Sequence, residues 1–272
     1  MKAILCAGNS EHQQRTMRGL AASLQRDGWQ ATVTSPGGYQ PADLVVFWGH
    51  RQRVMIGAQR ERGLPYLVAE RAYVGDRFHY TSLGFNGLNG GAEFDNAHCT
   101  DPARFDQHFP GALKPMRPAG GGYALVIGQV PNDAALASVP GQNLDAWVSQ
   151  MQVQIPKRMG LPVRYRPHPQ VAPSRTTLEE DLADAAVCVT WNSNSGVIAA
   201  LAGVPVIALG PGSMAKPVAS DHLSLFYPAE SLRRDWAARL AWCQWTPAEI
   251  ADGTAWAHLR RRFQPATAEA AA

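Results

Sequence analysis

The stretch Thr190-Trp191-Asn192-Ser193-Asn194-Ser195-Gly196 decides how the second half of the chain folds. It follows the apolar run 187–189 and precedes the helix-like run 197–202, a pattern that predicts a buried strand, a polar turn and a helix. Backbone N–H groups at a helix start lack intrahelical partners and carry the positive end of the helix dipole, so the turn predicts an anion site. Plain N-capping by Ser193 and Ser195 uses the same geometry and does not exclude it.

Three more predicted strands of this half end in groups that can bind a phosphate. Gln129 follows the strand 123–127, Arg166 and His168 lie at and just after the end of the strand 163–166, and a glycine-rich turn follows the strand 204–209. Because the carboxyl ends of parallel strands meet at one edge of a sheet, we expect these groups to line a single rim. The predicted donor and phosphate site comprises Gln129, Arg166, His168, Asn192, Ser193, Asn194, Ser195, Gly212 and Ser213.

Strand and helix patterns also alternate in the first half. Apolar runs at 3–6, 30–34, 44–48 and 66–69 are separated by helical spacing over 11–26 and 51–62, which predicts βαβ units and parallel sheets. We therefore expect an α/β protein of two doubly wound, Rossmann-like domains that face each other across a cleft.

The predicted boundaries are 1–117 for the first domain, 118–263 for the second and 264–272 for a flexible tail. The segment 74–96 is rich in glycine, asparagine and aromatic residues without periodicity, so it is predicted to be a site-forming loop. The cluster of proline and glycine at 110–122 predicts the domain connection.

Composition limits the possible functions. The chain has 272 residues, 46% of them hydrophobic, and a net charge of +3, which is ordinary for a globular protein and too weak for an obligate nucleic-acid binder. Its four cysteines form no CxxC pair, which disfavours a zinc ribbon and indicates a reducing compartment. No apolar run has the length of a signal peptide or membrane span, so we expect a soluble, cytoplasmic protein.

The sequence lacks the motifs of several enzyme classes. Neither GxGxxG after the first strand nor GxxxxGK[ST] is present, which disfavours a dinucleotide oxidoreductase and a P-loop kinase. No DxD-type metal motif stands in a suitable position, so we predict neither a metal site nor a bound cofactor.

Four short motifs, in this order, resemble the capsule-polysaccharide-biosynthesis group, which includes bacterial Kdo- and sialyltransferase-like enzymes of GT-B architecture. They are GQVPNDA at 128–134, RPHP at 166–169, TWNSNS at 190–195 and AGVPV at 202–206. The resemblance covers roughly the second domain, with a weaker similarity near Glu70. It implies a nucleotide-sugar donor in the second domain, where His168, Ser193 and Ser195 stabilise the leaving phosphate without a metal ion. The first domain would supply the acceptor site and the catalytic base.

The chain departs from this group at the position of the base. Such enzymes carry an acidic pair followed by glycine and an aromatic residue, whereas this chain has Glu70-Arg71-Ala72-Tyr73. Glu70 is the candidate base, with a structural Glu70–Arg71 ion pair as the alternative. Asp76, Glu93 and Asp95 are reserve candidates. The predicted acceptor-binding residues are Arg71, Tyr73, Arg77, Asn86 and Asn89.

The function expected from these features is transfer of a sugar from a nucleotide-sugar to an acceptor hydroxyl. The preferred acceptor is a hydroxymethylated pyrimidine in DNA, as for a bacteriophage enzyme in the host cytoplasm. The alternatives are a capsule or surface glycan as acceptor, a DNA-base hypermodification transferase that uses an activated base, and a non-catalytic nucleotide-sugar-binding protein. The last is favoured by Arg71 in place of the second acid.

Overall fold

The structure is a computed structural model that describes residues 1–35, 37, 39–130 and 143–261. The chain forms two compact units. Unit 1 comprises Met1–Cys99 and the described part of Arg239–Ala272, and unit 2 comprises the described part of Thr100–Ala238. The predicted tail at 264–272 and residues 131–134 of the first motif lie outside the described residues.

Unit 1 contains a six-stranded sheet. Its strands are β1 (Lys2–Cys6), β2 (Gln30–Thr34), β3 (Leu44–Trp48), β4 (Tyr66–Arg71), β5 (Thr81–Phe85) and β10 (Gln244–Trp245), and their spatial order is β10-β5-β4-β3-β1-β2. The first four are parallel, β5 is antiparallel to β4, and β10 is antiparallel to β5. The helices are α1 (Glu11–Arg26), α2 (Arg53–Glu61), α8 (Pro247–Asp252) and α9 (Thr254–Leu259).

Both faces of the unit 1 sheet bury apolar side chains. Leu67 and Ala69 of β4 belong to one core cluster with Leu20 of α1, and Tyr66 and Val68 belong to another with Ile56 of α2. Successive side chains of a strand point to opposite faces. The register of β4 with β5 continues to Arg71, so Arg71 follows the α1 face and Glu70 the α2 face.

Unit 2 contains a four-stranded parallel sheet in the order β7-β6-β8-β9, formed by β6 (Tyr123–Ile127), β7 (Val163–Arg166), β8 (Ala185–Thr190) and β9 (Val206–Ala208). Its helices are α3 (Ala103–His108), α4 (Leu144–Met159), α5 (Leu178–Ala183), α6 (Ser195–Leu201) and α7 (Glu230–Ala241), whose last residues belong to unit 1. Since β6 lies between β7 and β8, the topological switch point of this sheet is at β6 and β8, where ligands of open α/β sheets bind.

These elements confirm the predicted α/β class with parallel sheets. The predicted cleft arrangement stays a prediction. In the described part of the chain, no helix is both long and apolar enough to cross a membrane.

The predicted domain assignment needs two corrections. Residues 239–261 were expected in the second domain, but Trp245, Trp256 and Leu259 join the α1 core cluster of unit 1. The predicted connection 110–122 belongs to unit 2, and so does α3 just before it.

The predicted loop 74–96 also contains regular structure that the sequence did not reveal. It includes β5, whose residues are all buried. The burial of both strand faces removes the alternation of polar and apolar residues by which a strand is recognised.

Candidate functional site

The carboxyl edge of the unit 2 sheet brings Gln129 and Asn192 together. Gln129 follows β6 and Asn192 follows β8, the two strands at the switch point. Gln129 is buried, and its side-chain amide donates a hydrogen bond to the side-chain oxygen of Asn192. The two predicted donor-site residues are therefore in direct contact and fix each other's orientation.

His168 is held close to the same edge. The backbone N–H of Gly128 donates to the Arg166 carbonyl at 2.8 Å, and a Cβ at Gly128 would lie 2.7 Å from the Tyr165 hydroxyl and 3.1 Å from the His168 nitrogen. Glycine is therefore required for this approach. The Nδ1 atom of His168 accepts a hydrogen bond from the Gln170 N–H at 3.2 Å. This contact assigns the proton of a neutral His168 ring to Nε2, which makes Nε2 the donor.

The turn after β8 is ordered by its own hydroxyl groups. The Thr190 hydroxyl accepts from the Ser193 N–H at 3.0 Å, and the Ser193 hydroxyl accepts from the Ser195 N–H at 3.3 Å. The Ser193 hydroxyl also donates to that of Ser195 at 3.4 Å. Asn194 is the N-cap residue of α6, and its side chain makes no capping hydrogen bond. Local hydrogen bonding thus sets the turn that the sequence predicts for a phosphate, with Thr190 as a member that the sequence analysis missed.

Arg166 is predicted to bind a phosphate, but in the structure it is bound by groups of the protein itself. Its Nη1 pairs with Asp181, whose side chain is 2% exposed, and donates to the Ser174 hydroxyl and the Thr176 carbonyl, both at 2.9 Å. A guanidinium engaged in this way anchors the segment 174–181 to β7. The capping box of Thr177 and Glu180 marks the start of α5, whose first turn contains Asp181.

The loop after β9 carries Gly212 and Ser213 and leads to a surface cavity. Gly212 has a φ of +74°, and the buried Ser213 hydroxyl accepts from the Ala215 N–H at 3.3 Å, so both residues shape this loop. Ser220 forms a parallel bridge to Ile207 of β9. The following residues therefore leave at the same sheet edge as the other site residues. A cavity of about 440 Å³ there is lined by Lys216, Ala219, Ser220, Asp221, His222, Ser224, Leu225 and Phe226, which the sequence analysis did not assign to the site.

In unit 1, Glu70 lies at the carboxyl end of β4 and is half-buried. Its Oε1 accepts from the backbone N–H of Arg71 at 2.8 Å. A Cβ at Gly49, which follows β3 with a φ of +69°, would lie 3.4 Å from Oε2. Within the described residues no ion pair joins Glu70 to Arg71, so the structural-pair alternative is wrong. Alternation along β4 explains this result, because adjacent side chains leave a strand on opposite faces.

Arg71 instead contacts the loop that follows β4. Its guanidinium lies over the Phe78 ring, 4.0 Å from the ring centroid, and Nη1 donates to the Arg77 carbonyl at 3.5 Å. The exposed Arg77 side chain is on the same turn, where the Asp76 carboxylate accepts from the Phe78 N–H at 2.8 Å.

Tyr73 and Asn86 do not form an exposed acceptor surface with Glu70: the Tyr73 phenol is close enough to Glu70 to sense its charge but is buried, and Asn86 lies at the other edge of the sheet. Tyr73 is 5% exposed, and burial raises the pKa of its phenol. Asn86 follows β5, which runs antiparallel to β4, so Asn86 lies beside Tyr66 at the opposite edge, about 13 Å of strand from Glu70. Asn89, Glu93 and Asp95 come after β5 in the chain. Glu93 forms an antiparallel β-bridge with Phe85, the last residue of β5.

Residues of metal-binding type are not clustered in the part of the chain that the structure describes. No group of three or more His, Cys, Asp or Glu residues there could hold a metal ion. The arrangement in unit 2 instead offers amide, hydroxyl, imidazole and backbone N–H donors at one sheet edge. Such donors stabilise negative charge when they are positioned before it develops.

Comparison with solved structures shows a similar fold. The chain is similar to a beta Kdo 2,4 transferase of KpsC from Thermosulfurimonas dismutans, with 16% identity over 87% of this chain and 89% of that chain and a TM-score of 0.57. It is also similar to a beta Kdo 2,7 transferase of KpsC from the same organism, with 14% identity over 94% and 99% of the two chains and a TM-score of 0.58. No family model matches the sequence, and a search of curated proteins found no match.

Proposed function

We propose that the protein is a glycosyltransferase that transfers a sugar from a nucleotide-sugar to a hydroxyl group of a glycan. The observation that carries this proposal is the convergence of Gln129, His168, Asn192 and the 193–195 turn at the carboxyl edge of the unit 2 sheet. In this reading the edge binds the phosphate of the donor, and the cavity lined by Lys216, His222 and Phe226 receives the nucleoside.

The proposed reaction is an in-line displacement at the anomeric carbon. The acceptor oxygen forms the new bond as its proton passes to the Glu70 carboxylate. The bond between the anomeric carbon and the phosphate oxygen breaks, and its electron pair leaves with the nucleoside phosphate. The Nε2–H of His168 and the donors of the 193–195 turn stabilise this charge, in place of a metal ion.

A glycan is a better-supported acceptor than DNA. The similar folds are those of Kdo transferases, whereas no feature of the described residues favours a hydroxymethylated pyrimidine. The preference expected from the sequence is therefore reversed, and the capsule or surface glycan becomes the proposed acceptor class.

The acceptor can be tested directly. The full chain is incubated with CMP-, UDP-, GDP- and ADP-sugars, with bacterial surface oligosaccharides or hydroxymethylated duplex DNA, and the products are identified by mass spectrometry. The proposal predicts a mass increase on an oligosaccharide together with release of one nucleotide. If the DNA is modified and the oligosaccharides are not, the glycan is not the acceptor. If neither acceptor is modified, the proposal that the protein is a glycosyltransferase is contradicted.

A further inference from the structure

Arg71 is a cation for which the described residues supply no carboxylate partner. The ion pairs of this part of the chain do not include it, and Glu70 leaves β4 on the other face. A guanidinium has five N–H donors. In Arg71, Nη1 donates a hydrogen bond to the Arg77 carbonyl. Arg71 is half-buried, a setting in which an unpaired charge is more costly than at a fully exposed site.

The guanidinium is nevertheless held in a defined position. It lies 4.0 Å from the centroid of the Phe78 ring, and the N–H of Phe78 is fixed by the Asp76 carboxylate. A cation over an aromatic face is stabilised by the ring quadrupole. Stacking leaves the edges of the planar guanidinium available for two parallel hydrogen bonds to one oxyanion.

The charge around this position is positive. His12 is near Arg71 and Arg15, and its Nε2 contacts the Thr81 hydroxyl at 3.1 Å. Burial lowers the pKa of His12, and the charges of Arg15 and Arg71 lower it further, against opposing effects of the Phe78 backbone and Asp76. A neutral His12 adds no charge at pH 7, so the two positive charges of Arg15 and Arg71 that act on it exceed the one negative charge of Asp76, whose carboxylate accepts a hydrogen bond within its own turn.

Phe78 adds an apolar surface beside this charge. Its side chain is 58% exposed although one side of the ring is near Arg71. Aromatic surface next to a few oriented polar groups is typical of sites that bind small ligands, and the C–H face of a sugar ring can pack against it. The site is at the end of β4, one residue from the proposed base.

We propose that the saccharide bound by unit 1 carries a carboxylate or phosphate group, which the Arg71 guanidinium receives in bidentate fashion. The inference rests on the proposed function, because that function makes this saccharide the acceptor. A glycan is favoured over a DNA backbone because the site presents one stacked arginine beside an apolar ring, whereas a duplex is held through many phosphates.

The test measures binding of three probes to the full chain by calorimetry: α-1,4-trigalacturonate, the neutral α-1,4-galactotriose and a galactotriose phosphate. At least one anionic probe is expected to bind 10-fold or more tighter than galactotriose, roughly the effect of one hydrogen-bonded charge pair. Arg71→Gln should abolish this difference, Arg71→Lys should retain part of it, and Phe78→Ala should reduce it. Arg18→Gln, an exposed arginine of α1 paired with Gln14, is the matched control and should retain it.

Equal binding of all three probes, no binding at millimolar concentration, or a preference that survives Arg71→Gln would overturn the inference. Binding of a DNA duplex in place of the saccharides would also overturn it. Transfer to neutral glycans that is insensitive to Arg71→Gln would refute the anionic acceptor alone. Arg71-dependent binding of an anionic probe by a protein that transfers no sugar would refute the proposed function and leave the oxyanion site standing.

Discussion

Glu70 and Arg71 are adjacent on β4, yet their side chains leave the strand on opposite faces: Glu70 lies near Gly49, and Arg71 lies on the Phe78 ring. Arg71, which stands at the position of the second acid, therefore forms no ion pair that would neutralise Glu70. It leaves one carboxylate as a candidate base and creates a separate cationic position next to it.

Glu70→Gln is expected to lower kcat for sugar transfer by about 10²- to 10⁴-fold, the usual contribution of a general base, because the amide cannot accept the acceptor's proton. Nucleotide binding should be unchanged, since Glu70 belongs to unit 1. Steady-state kinetics and nucleotide titrations check both. Glu61→Gln, an exposed carboxylate at the end of α2, is the control. A fully active Glu70→Gln enzyme would remove Glu70 from the mechanism.

His168→Asn should reduce kcat by about 10²- to 10³-fold, as for loss of one preorganised donor to a developing negative charge. The Asn oxygen can still accept from the Gln170 N–H in place of Nδ1, whereas the Nε2 donor is lost. His108→Asn changes a histidine of the same unit in the last turn of α3, outside the proposed donor site, and should have a much smaller effect. Equal losses in the two variants, measured as transfer rates, would argue against a leaving-group role for His168.

Gly128→Ala should destabilise the protein by about 1–3 kcal/mol, the typical cost of overpacking, because the new methyl group meets the Tyr165 hydroxyl and the His168 backbone. Chemical denaturation measures the loss, and nucleotide affinity should fall as residues 165–168 shift. Gly57→Ala in α2 meets no heavy atom within 4 Å and should stabilise by about 0.5–1 kcal/mol through helix propensity. If both substitutions raised the free energy of unfolding, or both lowered it, the close approach at Gly128 would not exist in solution.

Asp181→Asn should cost about 3–5 kcal/mol at pH 7, because it leaves the Arg166 guanidinium without its buried partner. Burial raises the pKa of Asp181, but hydrogen bonds from Thr176 and Arg166 and the charges of Arg164 and Arg166 lower it by more, so the pKa lies below its usual range. A depressed carboxyl pKa stabilises the folded state above the unfolded-state value, and this stabilisation is lost as pH falls through the folded-state value.

The difference in unfolding free energy between wild type and Asp181→Asn should therefore be complete above about pH 5 and shrink below it. Denaturant titrations between pH 2.5 and 7 measure it. A difference that is independent of pH across this range would show that the ion pair does not stabilise the fold.

The sequence predicts the regular part of the fold well because apolar periodicity and capping are local. The helix 11–26 and the strands 30–34 and 44–48 have the same bounds in sequence and structure, and Ser10 with Gln13 forms a capping box at the start of α1. The rim after β6, β7 and β8 follows from parallel strands whose carboxyl ends share an edge.

The remaining features depend on contacts that are distant in sequence. The reversal of β5 moves Asn86 to the opposite edge from Glu70, and no local pattern of this glycine-containing strand indicates its direction. The assignment of residues 239–261 to unit 1 depends on the burial of Trp256, whose indole N–H donates a hydrogen bond to the Asp27 carboxylate at 2.7 Å. Asp181, the buried partner of Arg166, lies fifteen residues further along the chain. The sequence therefore does not reveal this ion pair, and it predicts Arg166 as a phosphate ligand.

The most direct test of a nucleotide-sugar donor is the unfolding midpoint of the full chain with millimolar CMP, UDP, GDP or ADP. One nucleotide should stabilise the protein, by about 2.7 kcal/mol at a concentration 100 times its Kd, and the stabilisation should be smaller in the His168→Asn variant. If none of the four nucleotides raises the midpoint, the unit 2 edge is not a nucleotide-donor site and the proposed function is contradicted.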